Sequence, residues 1–307
     1  MNAPANLTDA AFRASVVGAS EVAALFDTNP WLTKFELWHR KRGTIATPAF
    51  NEVIDGQPVN ERSYWGVKLE ASIIEGAKER WGYTDREQVK RLTNGAGLGG
   101  HPDRRVVCPE RGPGILETKM VDWLERKKWG DEPPLHYLLQ NLTYQGLDGV
   151  LWGDVIVLVG GNALERHCYD FRPSLYAEIE SRVAEFWRSV ESGEEPPVDY
   201  SRDGKTLVEA LGEPTEEIAD LRENLDAEQD AIDFMAAKAR RDAAEAEMEI
   251  AKTRLIERIG TAGKALLPSY RIGANMTKGT PDREAKVGEI IKGRRGYRRF
   301  DVREVAA

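Results

Sequence analysis

Three residues in this 307-residue chain have types and spacing suited to one kind of chemistry: Asp103, which follows Pro102, and the pair Glu117 and Lys119 flanking Thr118. In an extended segment side chains alternate between faces, so Glu117 and Lys119 point the same way. The run Pro109 to Gly114 is rich in turn formers, so Asp103 can lie on or beside the neighbouring strand of a hairpin and bring a second carboxylate to the same point. Phosphodiester hydrolysis calls for such a group. A hard cation such as Mg²⁺ takes carboxylate and carbonyl oxygens and keeps some of its waters. It then polarises the phosphate and lowers the pKa of the attacking water. A lysine beside it can orient that water or steady the charge that builds up on phosphorus. Taken alone, Asp in a turn and Glu-x-Lys on a strand are both common, so the surrounding elements must carry the case.

Those elements follow from hydrophobic periodicity and breakers. Ser20 is placed to cap a short helix reaching Phe26, and Thr33 with Glu36 has capping-box spacing for a second helix closed by Gly43. Ser63 to Arg80 reads as a helix ended by Gly82, with Glu70 bordering its apolar stripe. A carboxylate there is costly without a cation or donor nearby. Strand patterns follow at Gln88 to Leu92, Arg104 to Cys108 and Gly114 to Met120. Leu135 to Leu147 reads as a helix begun by two prolines, with Tyr137, Gln140 and Tyr144 on one face. Trp152 to Val159 and Glu165 to Phe171 suggest a hairpin across Gly160 to Asn162, and Pro173 to Val190 a closing helix. Trp31, Trp38, Trp65 and Trp81 are expected in the core, and His101 in a turn.

Several of these residues recur in a fixed order: Gly18-Ala19-Ser20-Glu21, Asn29-Pro30-Trp31, Phe35-Glu36-Leu37-Trp38, Gly66-x-x-Leu69-Glu70, Pro102-Asp103, Glu117-x-Lys119 and Tyr137-x-x-Gln140. Over residues 15 to 190 this order resembles the YqaJ-type viral recombinases, relatives of lambda exonuclease within the PD-(D/E)XK nuclease superfamily. The resemblance implies an α/β (α+β) restriction-endonuclease-like fold, a central mixed sheet flanked by helices. It implies a Mg²⁺-dependent exonuclease, using one or two ions with Mn²⁺ as a substitute. Such an enzyme digests one strand of linear duplex DNA 5′ to 3′ and leaves a 3′ single-stranded tail for phage-type recombination. It also implies a ring-shaped homo-oligomer and a single-strand annealing protein as partner. Carried over by position, Asp103, Glu117 and Glu70 match the metal carboxylates, Lys119 the catalytic lysine, and Thr118 a ligand through its main-chain carbonyl. Ser20 and Glu21 match a pair that helps bind the 5′-terminal phosphate. Gln140 matches the first glutamine of a Gln-x-Gln pattern whose second position is here Leu142, while Gln140 with Tyr144 fits the related Gln-x-x-x-Tyr pattern. Tyr137 and Tyr144 are grouped with the DNA-contacting residues. The alternative reading is a non-catalytic DNA-binding or annealing accessory protein on the same fold.

The remaining composition bounds the answer. With 41% hydrophobic and 31% charged residues the chain is of ordinary globular composition. Two cysteines build neither a disulfide framework nor an iron-sulfur cluster, and four histidines without paired spacing argue against zinc. No signal peptide or membrane span is expected, and cytoplasmic residence in a bacterial host, with phage or prophage origin, is the simplest assignment. The net charge of −8 does not veto nucleic acid, because the charge is segregated: residues 213 to 259 carry 14 acidic and 7 basic residues, and residues 264 to 299 carry 10 basic and 3 acidic. The expected layout is a mobile arm (1–14), the nuclease domain (15–192), a linker (193–212), a long helix or helical hairpin with a heptad-like seam (213–259) and a basic β-rich segment (260–307). In the last, Lys292, Arg294, Arg295, Arg298 and Arg299 interleave with Tyr297 and Phe300, a pattern suited to phosphate contact and base stacking.

Overall fold

A computed structural model of the chain describes residues 8–47, 53–54, 57–213, 215–279, 283–284, 290–291 and 301–304. The chain divides into two compact units, Met1–Pro214 and Thr215–Ala307.

Among the described residues the first unit holds two larger sheets and a two-stranded hairpin at Val53–Ile54 and Gln57–Pro58. The helices are α1 (Asp9–Ser15), α2 (Lys34–Arg42), α3 (Glu61–Trp81), α4 (Trp123–Arg126), α5 (Leu135–Asp148), α6 (Pro173–Ser192) and α7 (Gly204–Leu211). The strands that matter here are β1 (Val17–Gly18), β2 (Thr84–Asp85), β3 (Leu92–Thr93), β4 (Leu98–Gly100), β5 (Arg104–Cys108), β6 (Gly112–Val121), β7 (Trp152–Val159) and β8 (Ala163–Asp170). A five-stranded mixed sheet runs β8-β7-β6-β5-β2, and a three-stranded one runs β1-β4-β3. Only β6 and β7 pair in parallel in the larger sheet, with Glu117 opposite Val155. Parallel neighbours require a crossover, and α5 supplies it. The expected central mixed sheet flanked by helices is thus the observed architecture.

Local chemistry accounts for the boundaries. The Thr33 hydroxyl accepts the Glu36 N–H at 3.0 Å and starts α2, while Gly43 closes it in the left-handed region. Asn60 caps α3 and Gly82, at φ 71°, ends it. Side chains of β6 alternate between two cores. Leu116 packs with Ile73, Ala77, Val106 and Trp152. Ile115 packs with Ala19, Tyr144 and Val150. A third cluster joins the 3₁₀ turn Val22–Phe26 to α2, α5 and α6 through Leu37, Leu139, Ile179 and Phe186.

A polar network underlies the Trp152 core. The fully buried Asp154 accepts two hydrogen bonds from the Arg111 guanidinium, one of them at 2.9 Å, and one from the Tyr83 hydroxyl. Arg166 donates to that same hydroxyl at 3.3 Å, and Arg111 lies 3.9 Å over the Trp152 ring. The Trp152 indole N–H donates to the Arg111 carbonyl at 3.1 Å, so the ring is held from two sides. A Cβ at Gly114 would fall 2.2 Å from it. Gly114→Ala is therefore expected to cost about 1–3 kcal/mol through overpacking; urea denaturation reads this, and an unchanged midpoint would refute it.

Five expectations are corrected here. Residues 9–14 are not a mobile arm: Asp9–Ser15 is helical, its Phe12 is buried against His101, and Asp9 pairs with Arg91. Residues 1–7 of that arm lie outside the described residues. Segment 193–212 is not a free linker, since it contains α7 and its buried Asp203 accepts from the Thr33 hydroxyl at 2.5 Å. Ser20 caps no helix: the turn at Val22–Phe26 is 3₁₀, and Glu21, not Ser20, sits at its N-cap, without a side-chain hydrogen bond. Of the four tryptophans only Trp38 is fully buried; Trp31 and Trp65 are 66% and 50% exposed. The strand expected at Gln88 to Leu92 shrinks to Leu92–Thr93, with a separate short strand at Thr84–Asp85.

The second unit begins with one continuous 35-residue helix, α8 (Leu225–Ile259), rather than a hairpin, and it buries none of its own residues. Strands β9 (Lys264–Leu266), β10 (Tyr270–Gly273) and β11 (Asp301–Glu304) form an antiparallel sheet. Lys292, Arg294, Arg295, Arg298 and Arg299 lie outside the described residues. Among the described residues no helix is long and apolar enough to cross a membrane.

Candidate active site

Glu117 sits in the middle of β6 and is 1% exposed. One of its carboxylate oxygens, Oε1, accepts from Lys119 Nζ at 2.6 Å and from Gln140 Nε2 at 2.6 Å. Lys119 also donates to Gln140 Oε1 at 3.1 Å, so the three side chains close a triangle between β6 and α5. The period of two along β6 puts Glu117 and Lys119 on the face that α5 covers, which is why a residue from the crossover helix completes the group. The other carboxylate oxygen of Glu117, Oε2, is buried with no hydrogen-bond partner. Such an atom is costly in a dry environment unless a cation or donor reaches it.

Asp103 lies immediately before β5, and its Oδ2 accepts from the Thr118 backbone N–H at 2.7 Å and the Thr118 hydroxyl at 2.8 Å. Thr118 therefore fixes Asp103 through its N–H and hydroxyl, a role that the spacing did not announce. Glu70, on α3, is half-buried and close enough in charge terms to feel Asp103, Lys119 and Arg104. Burial first, and the Asp103 carboxylate second, push Glu70 up to about 7 and Glu117 up to about 8. Burial would lower the Lys119 ammonium, but Glu117 and Asp103 outweigh it and hold Lys119 above its ordinary value. The Tyr137 ring lies under Lys119, whose Nζ is 5.0 Å from the ring centre. Tyr144 is buried, and a Cβ at Gly100 would fall 2.7 Å from its ring.

The raised carboxyls give a pH signature. In the metal-free protein the native state releases the Glu117 proton between about pH 7 and 9, a range in which an unfolded glutamate, titrating near 4.5, has none left to release. The native form binds more protons than the unfolded one there, so stability falls as pH rises. The Tm in EDTA is expected to drop from pH 7 to pH 9 in the wild type, and to drop less in Glu117→Gln, which cannot ionise. Equal slopes for the two would refute the assignment of that proton.

Ser20 and Glu21 do not join this group directly. The Ser20 residue is exposed and its carbonyl accepts from Asn29 Nδ2 at 3.3 Å. Glu21 accepts from the Gly18 N–H at 2.8 Å and from the buried Lys41 ammonium at 2.7 Å. Twenty residues separate Glu21 from Lys41, and no sequence signal links them. Leu142, at the second position of the glutamine pattern, is buried in the α5–α6 core.

Residues 10–146 match the family described as the YqaJ-like viral recombinase domain. The matched stretch is similar to that family and makes up less than half of the chain. It holds Glu70, Asp103, Glu117, Thr118, Lys119, Gln140 and Tyr144, while β7 and β8 extend its sheet beyond the matched residues. No curated protein matches the chain. Among solved structures the chain is similar to an alkaline exonuclease from Laribacter hongkongensis, at 20% identity and a TM-score of 0.45, covering 64% of this chain and 96% of that one. The same enzyme in complex with dAMP aligns at 22% identity and 0.45, covering 65% and 97%. A phage related exonuclease from Haemophilus somnus aligns at 16% identity and 0.39, covering 61% and 83%.

Among the described residues no three His, Cys, Asp or Glu side chains form a ready-made metal cage. Mg²⁺ needs fewer protein ligands, since one or two carboxylates and several waters suffice. The unpaired Oε2 of Glu117 and the mutual repulsion of Glu117, Asp103 and Glu70 fit a hard divalent cation.

Proposed function

We propose that the chain is a divalent-metal-dependent DNA exonuclease that digests one strand of linear duplex DNA, 5′ to 3′, and leaves a 3′ single-stranded tail for phage-type recombination. The observation that carries this reading is the buried Glu117, with one oxygen shared by Lys119 and Gln140 and the other unpaired, inside the stretch that matches the YqaJ-like viral recombinase domain. Asp103 and Glu117 would hold the metal, with Glu70 and the Thr118 main-chain carbonyl as further candidate ligands. The chemistry such an ion would supply there is activation of water and offsetting of charge on the phosphate.

The protein's own groups do the rest. Thr118 orients Asp103 from both its N–H and its hydroxyl. Gln140 donates to Glu117 and accepts from Lys119, which fixes both side chains before substrate arrives. An ammonium has three donors, and two of those of Lys119 are engaged by Glu117 and Gln140. The third is left for a phosphate oxygen or the attacking water. Ser20 and Glu21 are assigned to the 5′-terminal phosphate, Tyr137 to the wall of the DNA path, and Lys292, Arg294, Arg295, Arg298 and Arg299 to the DNA backbone. Tyr144, expected among the DNA contacts, is buried in the core and takes no such part. A ring-shaped homo-oligomer and a single-strand annealing partner complete the proposal.

The test is incubation of linear and covalently closed circular duplex with Mg²⁺ or with EDTA, using 5′- and 3′-labelled ends. Loss of linear DNA alone, only with Mg²⁺, and with 5′ label released first, is the expected result. Cutting of closed circles would make it an endonuclease, and no cutting of either would favour the non-catalytic binding module.

A further inference from the structure

An aromatic side chain carries roughly 150–250 Å² of largely apolar surface, which is costly to leave in water. Trp31 is nonetheless 66% exposed, and its backbone is firmly held. Oδ1 of the buried Asn29 accepts the N–H groups of Trp31 and Leu32 at 2.9 and 3.0 Å. Asn29 Nδ2 donates to the Ser20 carbonyl, and Arg202 donates to the Asn29 carbonyl at 2.7 Å. The fold therefore presents this indole to solvent on a pinned loop.

The ring also has a fixed neighbour. Trp31 meets His136 edge to face, with centroids 5.0 Å apart. His136 meets Tyr137 at 4.1 Å, and Tyr137 lies under the Lys119 ammonium at 5.0 Å. Three rings thus lead from solvent to the cation of the active site. Burial first, and Lys119 second, pull the His136 imidazole down to about 4, so the support beneath Trp31 is neutral at physiological pH. His136 and Tyr137 are half-buried, so the most exposed of the three rings is a single indole, 66% open to solvent. That is the footprint of a base; a stable protein interface takes about 800 Å² per partner.

We propose that Trp31 is a nucleobase-stacking platform, seating a base of the DNA end near the phosphate that Lys119 engages. The proposal rests on the nuclease reading for the position of that phosphate. It assigns to Trp31 the contact that holds the end of the strand while the backbone is engaged further in. Stacking of this kind tolerates any sequence, because every base has a π-face.

The test measures binding in EDTA, without turnover. The full chain and its Trp31→Ala and Trp31→Phe variants are titrated with a labelled linear duplex, and with the same duplex carrying abasic sites at the terminal three positions of each strand. The wild type is expected to bind the base-bearing ends about tenfold more tightly than the abasic ends, the scale of one stacked base. Trp31→Ala should lose that tenfold, Trp31→Phe should keep most of it, and all three proteins should bind abasic ends alike. Equal affinity of wild type and Trp31→Ala for base-bearing ends, or an equal loss on both kinds of end, overturns the proposal. A wild type that discriminates the ends but never cleaves with Mg²⁺ sinks the nuclease reading and leaves the platform standing. One that cleaves without discriminating sinks the platform alone, and failure to bind DNA at all sinks both.

Discussion

Asp103→Asn and Lys119→Met are each expected to lower Mg²⁺-dependent digestion of linear duplex by about 10²–10³-fold or more, the scale of removing one charged group from a transition state. The two substitutions separate charge from shape. Asparagine at position 103 keeps an oxygen to accept the Thr118 N–H and hydroxyl, so the strand geometry should survive while one negative charge on the cation is lost. Methionine at 119 keeps the aliphatic stem over Tyr137 but removes the donor to Glu117 and Gln140. Arginine there is not conservative, because its fork differs in shape from an ammonium and its charge is fixed. Digestion rates at saturating Mg²⁺ and DNA, with Tm alongside to confirm folding, decide the matter. Wild-type rates in either folded variant would remove Asp103 or Lys119 from the chemistry.

The largest stability effect is expected far from that chemistry, at Asp154. Removing a buried charge from a pair commonly costs about 3–5 kcal/mol, because its partners are left unpaired in a dry site. Asp154→Ala is expected near that range, since Asp154 is fully buried and holds both the Arg111 guanidinium and the Tyr83 hydroxyl. Arg111 retains some contact with water, which places the loss toward the lower end. Adding Arg111→Met should recover part of it by removing the orphaned cation, and the double mutant should be less unstable than the sum of the singles. Urea denaturation of the four proteins measures the coupling. A loss under 1 kcal/mol for Asp154→Ala would mean that water reaches the site.

Much of this was legible in the sequence because it is local. The left-handed closures at Gly43 and Gly82, the extents of β5 and β7, and the common face of Glu117 and Lys119 all follow from spacing and residue type. The same logic brings Gln140 to that face only once the parallel pairing of β6 and β7 sends α5 across the sheet. What was not legible depends on pairs distant in the chain. Thr33 and Asp203 turn an apparent linker into a packed segment, and Lys41 claims Glu21. Polar and Gly/Pro-rich composition at 193–212 cannot distinguish a free linker from a segment strapped down by such a bond. The exposure of Trp31 was misjudged for a related reason. Hydrophobicity favours burial on average, whereas Asn29 pins the loop so that the indole faces outward.

The position of β6 between an antiparallel and a parallel neighbour bears on when a growing chain acquires its chemistry. Without α5 and β7, β6 would be an edge strand and Glu117 would lack the Gln140 that holds it. Helix α5 and β7 must emerge before that side chain can be enclosed and its second oxygen left waiting for a cation. A fragment ending at Val121 would therefore carry every carboxylate of the candidate site but not the dry cradle around Glu117, which needs the chain through Val159.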